Sequence, residues 1–144
     1  MRIYVASSWR NTHYPEIIKK LRAMKHEVYD FRNPAPGNYG FSWSEIDENR
    51  RDWTPVQYSC YLEHPISVKG FSMDFSAMQW ADLCILVLPS GRSAHTEAGW
   101  MKGVGKKVFV YMPEVMEPEL MYKIYDGIIT DLSKLEEIGL LNFC

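Results

Sequence analysis

Short apolar runs alternate with amphipathic stretches along this chain. Arg2–Ala6 (RIYVA), Leu83–Leu88 (LCILVL) and Lys107–Tyr111 (KVFVY) are brief, rich in aliphatic or β-branched residues and bounded by polar or turn residues, the pattern of buried parallel strands. Glu27–Phe31 and Gly127–Thr130 complete a set of candidate strands. Between them lie helical patterns. Ile17, Ile18, Leu21 and Met24 form an apolar stripe over Tyr14–Met24, and Ile66–Trp80, Ala94–Val104, Glu117–Tyr125 and Asp131–Ile138 also read as helices. Strands alternating with helices imply βαβ units with right-handed crossovers. The expected fold is a flavodoxin-like doubly wound α/β sheet of five parallel strands in the order 2-1-3-4-5, with helices on both faces.

Residues 32–65 break that rhythm. The segment opens Asn33-Pro34-Ala35-Pro36-Gly37-Asn38, a loop signature, and continues FSWSEIDENRRDW, which predicts one short helix. A loop-rich insertion of this length is more often functional than accidental. At 144 residues the chain is expected to be one domain carrying this insertion.

Composition narrows the classes. The chain is 47% hydrophobic and 24% charged, ordinary globular usage that excludes disorder and fibrous repeats. A net charge of −2 lacks the basic footprint of a nucleic-acid polymer binder. No run reaches membrane-spanning length, and the opening RIYVA reads as a strand, not a signal peptide, so no membrane partner is expected. Cys60, Cys84 and Cys144 form no CxxC pair, and His13, His26, His64 and His95 have no paired ligand spacing. A cytoplasmic protein without disulfides, metal or other cofactor is expected. Aromatic residues are plentiful at 14%, enough for a core with rings left for a planar ligand.

In a doubly wound sheet, ligands bind beyond the C-terminal strand edge where the strand order reverses. That rule selects Ser7, Ser8, Trp9, Arg10 and Asn11 after the first strand, and Ser90, Gly91, Arg92 and Ser93 after the third. GxGxxG and GxxxxGK[ST] are both absent, so a standard dinucleotide or nucleoside-triphosphate site has no support. Ser93 reads as a helix N-cap, which would put Glu97 in the first helical turn, ionised by the helix dipole. Acidic residues also favour first turns for stability alone. Asp74 reads as a carboxylate on a largely buried helix, needing either a partner or a function, or else occupying a narrow solvent face. Paired carboxylates suit glycosidic chemistry. Trp9, Phe41, Trp43, Trp53, Tyr58 and Tyr61 are either base-stacking surfaces or core, and Arg10 and Arg92 either hold a phosphate or are solvated.

Ile3-Tyr4-Val5-Ala6-Ser7-Ser8-Trp9, then Asp74 ahead of Ala81-Asp82-Leu83-Cys84-Ile85-Leu86-Val87-Leu88-Pro89, then Gly91 with Glu97-Ala98-Gly99-Trp100, resembles the nucleoside 2-deoxyribosyltransferase family. That family includes related hydrolases of 2′-deoxynucleoside 5′-monophosphates. The resemblance runs from the first strand to about Thr130, and residues 32–65 match poorly. It implies that Glu97 attacks C1′ to form a covalent deoxyribosyl-enzyme. It implies that Asp74 positions Glu97 and the base and helps protonate the leaving base, and that Tyr4 and Ser7–Trp9 line the sugar and base pocket.

The resemblance further implies a homo-oligomer in which a neighbouring subunit completes each site from the segment after the fourth strand. Transferases of the family typically carry an asparagine there, for the 5′-hydroxyl, and the monophosphate hydrolases a serine, for the phosphate. Here the segment offers Glu117 or Glu119. A carboxylate accepts from a 5′-hydroxyl and repels a phosphate, whereas Ser90-Gly91-Arg92-Ser93 suits a phosphate. Transfer to another base, hydrolysis of a nucleoside or nucleotide, and a catalytically silent nucleotide sensor all stay open at this point.

Overall fold

The computed structural model describes residues 1–135 and 137. Among them β1 (Arg2–Ala6), β2 (Glu27–Tyr29), β3 (Leu83–Val87), β4 (Lys107–Tyr111) and β5 (Gly127–Ile129) form one sheet in the order β2-β1-β3-β4-β5. Every neighbouring pair is parallel, the doubly wound arrangement that the alternation of patterns predicts. The chain divides into two compact units, one of Met1–Asp30 with the chain from Met78 onward, the other Phe31–Ala77.

The first unit holds the sheet. Register places Tyr29, Tyr4, Cys84 and Val108 in one row across β2, β1, β3 and β4. Residues in a row project to the same side, and alternate residues to opposite sides. Both sides of β3 are covered, so all of Leu83–Val87 is buried. Helix α1 (Tyr14–Ala23) buries Tyr14, Ile17, Ile18 and Leu21, as its apolar stripe predicts. Helix α4 (Arg92–Gly103) packs on β1, β3 and β4 through buried Ala94, Ala98 and Met101, spaced along one face. Two small residues in that stripe let the helix backbone approach the strands closely.

Charged side chains secure the edges of this unit. Asp126 receives Lys102 Nζ at 2.9 Å and the Val108 N–H at 2.8 Å, tying α4 to β4. Lys106 Nζ donates to the carbonyls of Met78, Gln79 and Ala81 at the end of α3 (Pro65–Trp80), where orphan carbonyls and the helix dipole favour a cation.

The second unit is built differently. Its ordered pieces are α2 (Pro55–Leu62), most of α3, and two single 3₁₀ turns, Trp43–Glu45 and Arg50–Asp52, where one helix was expected. Reciprocal capping boxes start two of them: Ser42 with Glu45, and Thr54 with Gln57. The Thr54-Pro55-x-Gln57 signature of α2 is legible in the sequence but was not among the expected helices. Rings pack on rings here. Trp53 stacks on Tyr61 at 4.3 Å, and Trp43 meets Phe41 and Trp53 edge to face at 4.8 and 5.7 Å. Trp53 Nε1 donates to Asp47 at 2.8 Å, and that bond, helped by the Asn49 N–H, holds the Asp47 carboxyl below the usual range.

Two further expectations change. The helix read over Glu117–Tyr125 is a 3₁₀ turn, Leu120–Ile124, which starts only after Glu119 caps it through the Met121 N–H. The helix expected over Asp131–Ile138 extends outside the described residues.

Candidate active site

The reversal of strand order falls between β1 and β3, whose neighbours continue the sheet in opposite directions. The loop after β1 is fastened to the end of β3 by Asn11, the last of the residues that the strand-order rule selects there. Asn11, only 3% exposed, donates to the carbonyls of Val87 at 3.3 Å and Pro89 at 3.0 Å. Its Oδ1 accepts from the N–H groups of His13 and Tyr14, at 2.8 and 3.0 Å, as α1 begins. The signal was available: an asparagine just ahead of a helix with proline in its first turn. Ser7 Oγ donates to Val87 O at 3.0 Å, and Ser8 Oγ accepts from the Arg10 N–H at 3.2 Å. These serines therefore shape the loop, and Trp9 and Arg10 ride outside it, with Trp9 51% exposed.

Helix α4 begins on Gly91, with no capping side chain, two residues before the expected cap Ser93. The His95 N–H already bonds the Gly91 carbonyl at 3.3 Å, so the chain turns helical directly after the glycine. Glu97 consequently lies in the second turn, not the first, and the first turn holds no acidic residue. Its setting comes from the sheet more than from the dipole, which fades beyond one turn. Glu97 is half-buried. Burial, with the charge of Glu97 adding to it, pushes the Cys84 thiol far above its ordinary pKa. Cys84 shares its row with Tyr4 in β1, and α4, which carries Glu97, packs on both of these strands. Tyr125 belongs to the same neighbourhood, its hydroxyl raised by burial and then by Cys84.

The remaining candidates fall into place individually. Tyr4 is buried and stacks on Tyr29 at 5.6 Å. Ser90 Oγ is buried and makes no hydrogen bond among the described residues, while Arg92 and Ser93 are exposed at the start of α4. Glu117 is exposed, and Glu119 accepts from the Met121 N–H at 2.9 Å, capping its own turn. Asp74 is half-buried on α3 in the second unit. The expectation of a largely buried helix around it fails, because Phe71 is 66% exposed and Val68 is exposed as well.

The structure also reveals a pair with no sequence signal, His95 and Tyr122. His95 Nε2 lies 2.7 Å from the Tyr122 hydroxyl and its Nδ1 2.7 Å from the Gly91 carbonyl. Among the described residues no group of His, Cys, Asp and Glu could hold a metal ion, and no helix is long and apolar enough to cross a membrane.

These features define a flavodoxin-like α/β protein with a carboxylate-bearing helix at the strand-order reversal. No protein-family model matches the chain, and no curated protein matches it in sequence. Solved structures do. The chain is similar to a 2-deoxyribosyltransferase from Bacillus psychrosaccharolyticus, with a TM-score of 0.65 and 19% identity over 94% of this chain and 90% of that one. It is similar also to the CMP N-glycosidase of Clostridium botulinum, with a TM-score of 0.53 and 15% identity over 96% of this chain and 99% of that one. At such identities the likeness is one of fold.

Proposed function

We propose that this chain cleaves the N-glycosidic bond of a (2′-deoxy)nucleoside, with Glu97 as nucleophile. The observation that carries the reading is the position of Glu97: half-buried on α4, the helix that packs across both β1 and β3 at the reversal of strand order. The two similar folds, a 2-deoxyribosyltransferase and a CMP N-glycosidase, support the same bond as the target.

In the proposed reaction a Glu97 oxygen bonds to C1′ as the C1′–N bond breaks and its electron pair passes to the base. The transition state carries positive charge at C1′, so an ionised carboxylate stabilises it. The departing base takes a proton, a task assigned here to Asp74 on the resemblance described above. A second base or water then attacks C1′ from the opposite side and frees Glu97, giving a new nucleoside or the free sugar. Trp9, exposed beside the seam, is the ring proposed to stack on the base. The chain is read as one catalytic domain working in a homo-oligomer, with Glu117 and Glu119 serving a neighbouring subunit's site. Both are carboxylates, which favours a 5′-hydroxyl over a 5′-phosphate.

One feature favours a second reading, a 5′-monophosphate N-glycosidase. Helix α4 starts on an uncapped glycine beside the Ser90 hydroxyl, which has no partner among the described residues, and the exposed Arg92, a setting suited to an anion.

Base release from a panel of nucleosides and their 5′-monophosphates, with and without an acceptor base, tests these readings together. Glu97→Ala is expected to lower release by about 10³-fold or more, with thermal unfolding nearly unchanged. Full activity in that variant would overturn the mechanism. Tight binding without turnover in the wild type would point to a sensor instead.

A further inference from the structure

His95 occupies the first turn of α4, two residues before Glu97. A carbonyl oxygen only accepts, so the 2.7 Å contact with Gly91 fixes the ring proton on Nδ1. In the neutral ring Nε2 must then accept, and the Tyr122 O–H donates to it at 2.7 Å. The two rings lie nearly parallel, 5.7 Å apart and inclined by 18°. One side chain thereby joins the start of α4 to the 3₁₀ turn that follows β4.

That turn ends an irregular strap running from Pro113 to Tyr125. Residues 115–119 of the strap have no regular structure, and Val115 is wholly exposed. Near its beginning Glu114 reaches His13 at 3.5 Å, an exposed pair that contributes little. Near its end the Tyr122 ring lies 6.1 Å from that of Tyr125, which leads into β5. The end of the strap that follows Glu119 is thus held to the start of α4 by the His95 contact, whereas the Glu114 end has only a weak surface tie.

We propose that His95 is a positioning residue: it pins the strap against the start of α4 and so fixes the wall that a substrate meets there, beside the loop that follows β3. This rests on the reading of Glu97 given above. His95 takes no part in bond making. Its loss leaves Glu97 on a helix anchored by Ala94, Ala98 and Met101, so substrate binding suffers more than chemistry. A single hydrogen bond of ordinary strength corresponds to about a tenfold change.

The test compares the full-length wild type with His95→Ala, Tyr122→Phe, His95→Gln and His95→Asn. Each is followed by amide hydrogen exchange over residues 113–125 and by steady-state kinetics on whichever nucleoside or monophosphate the wild type cleaves. His95→Ala and Tyr122→Phe are expected to speed exchange in the strap and raise KM about five- to tenfold, with kcat within about twofold. Glutamine places an acceptor near the Nε2 position and is expected to restore most of both effects. Asparagine can replace only the Gly91 contact and should restore neither. Unchanged exchange in His95→Ala, or equal rescue by asparagine and glutamine, would overturn the proposal, as would a fall in kcat at constant KM. Faster strap exchange in a protein that cleaves no substrate would uphold the pin and sink the catalytic reading instead.

Discussion

The two units of this chain reach order by different means. In the first, aliphatic strands are covered on both sides, and Val5, Leu86, Val87 and Val108 are completely buried. In the second, the described large side chains retain partial exposure, and the ordered features are ring-on-ring contacts, capping boxes and the Trp53–Asp47 hydrogen bond. Dense aliphatic burial yields about 1.5–3 kcal/mol for each large side chain removed from water. Aromatic pairs add only about 0.5–1.5 kcal/mol beyond the area they cover. The sheet is therefore the rigid support on which Glu97 and the β1 and β3 loops are mounted. The second unit owes its shape to a handful of rings.

The sharpest way to break that contrast is to truncate one anchor in each unit. Leu86→Ala is expected to cost about 2–5 kcal/mol and to lower the melting temperature of the sheet. Trp53→Ala should cost less, about 1–3 kcal/mol, and should quicken amide exchange mainly within residues 31–77. Equal loosening of β1 and β3 by Trp53→Ala would end the distinction. Asn11→Ala comes next, at about 1–3 kcal/mol, because it takes a donor from the Pro89 carbonyl, leaves Val87 O to Ser7 alone and removes the acceptor at the start of α1. Chemical denaturation measures it, and a loss below about 0.5 kcal/mol would deny Asn11 its role.

The smallest effect concerns acid. Burial alone would raise the Asp126 carboxyl, but the Lys102, Val108 and Lys107 donors outweigh it and bring it below its ordinary value. A depressed carboxylate contributes stability above its unfolded pKa of about 3.9, and that contribution is lost as pH falls through the lower folded value. Asp126→Asn should remove about 1 kcal/mol near neutrality and flatten the acid limb of the stability profile below about pH 4. An unchanged acid limb in pH-dependent unfolding would show that the Lys102 and Lys107 contacts do not stabilise the charge.

The helices show where sequence reading stops. The starts of α1 and α3 were legible because apolar spacing and flanking prolines agree. At α4 the preference of serine for N-caps pointed to Ser93, yet the extended backbone of Gly91 starts the helix and moves Glu97 into the second turn. For the rings of residues 41–61 the sequence offers both ligand surface and core, and in the fold they pack on one another. Composition records that rings are present but not what they face.

The alternation of short aliphatic runs with amphipathic stretches determined the parallel sheet, its strand order and the loops beside the reversal. Those features depend on local periodicity and on the handedness of crossovers, both written into consecutive residues. Tertiary structure alone decided that Asn11 fastens the β1 loop to β3, that α4 brings Glu97 across β1 and β3, and that His95 holds Tyr122. Each joins positions distant in the chain. Hydrogen bonds and charge interactions require contact to within a few ångströms, and only the folded backbone supplies it.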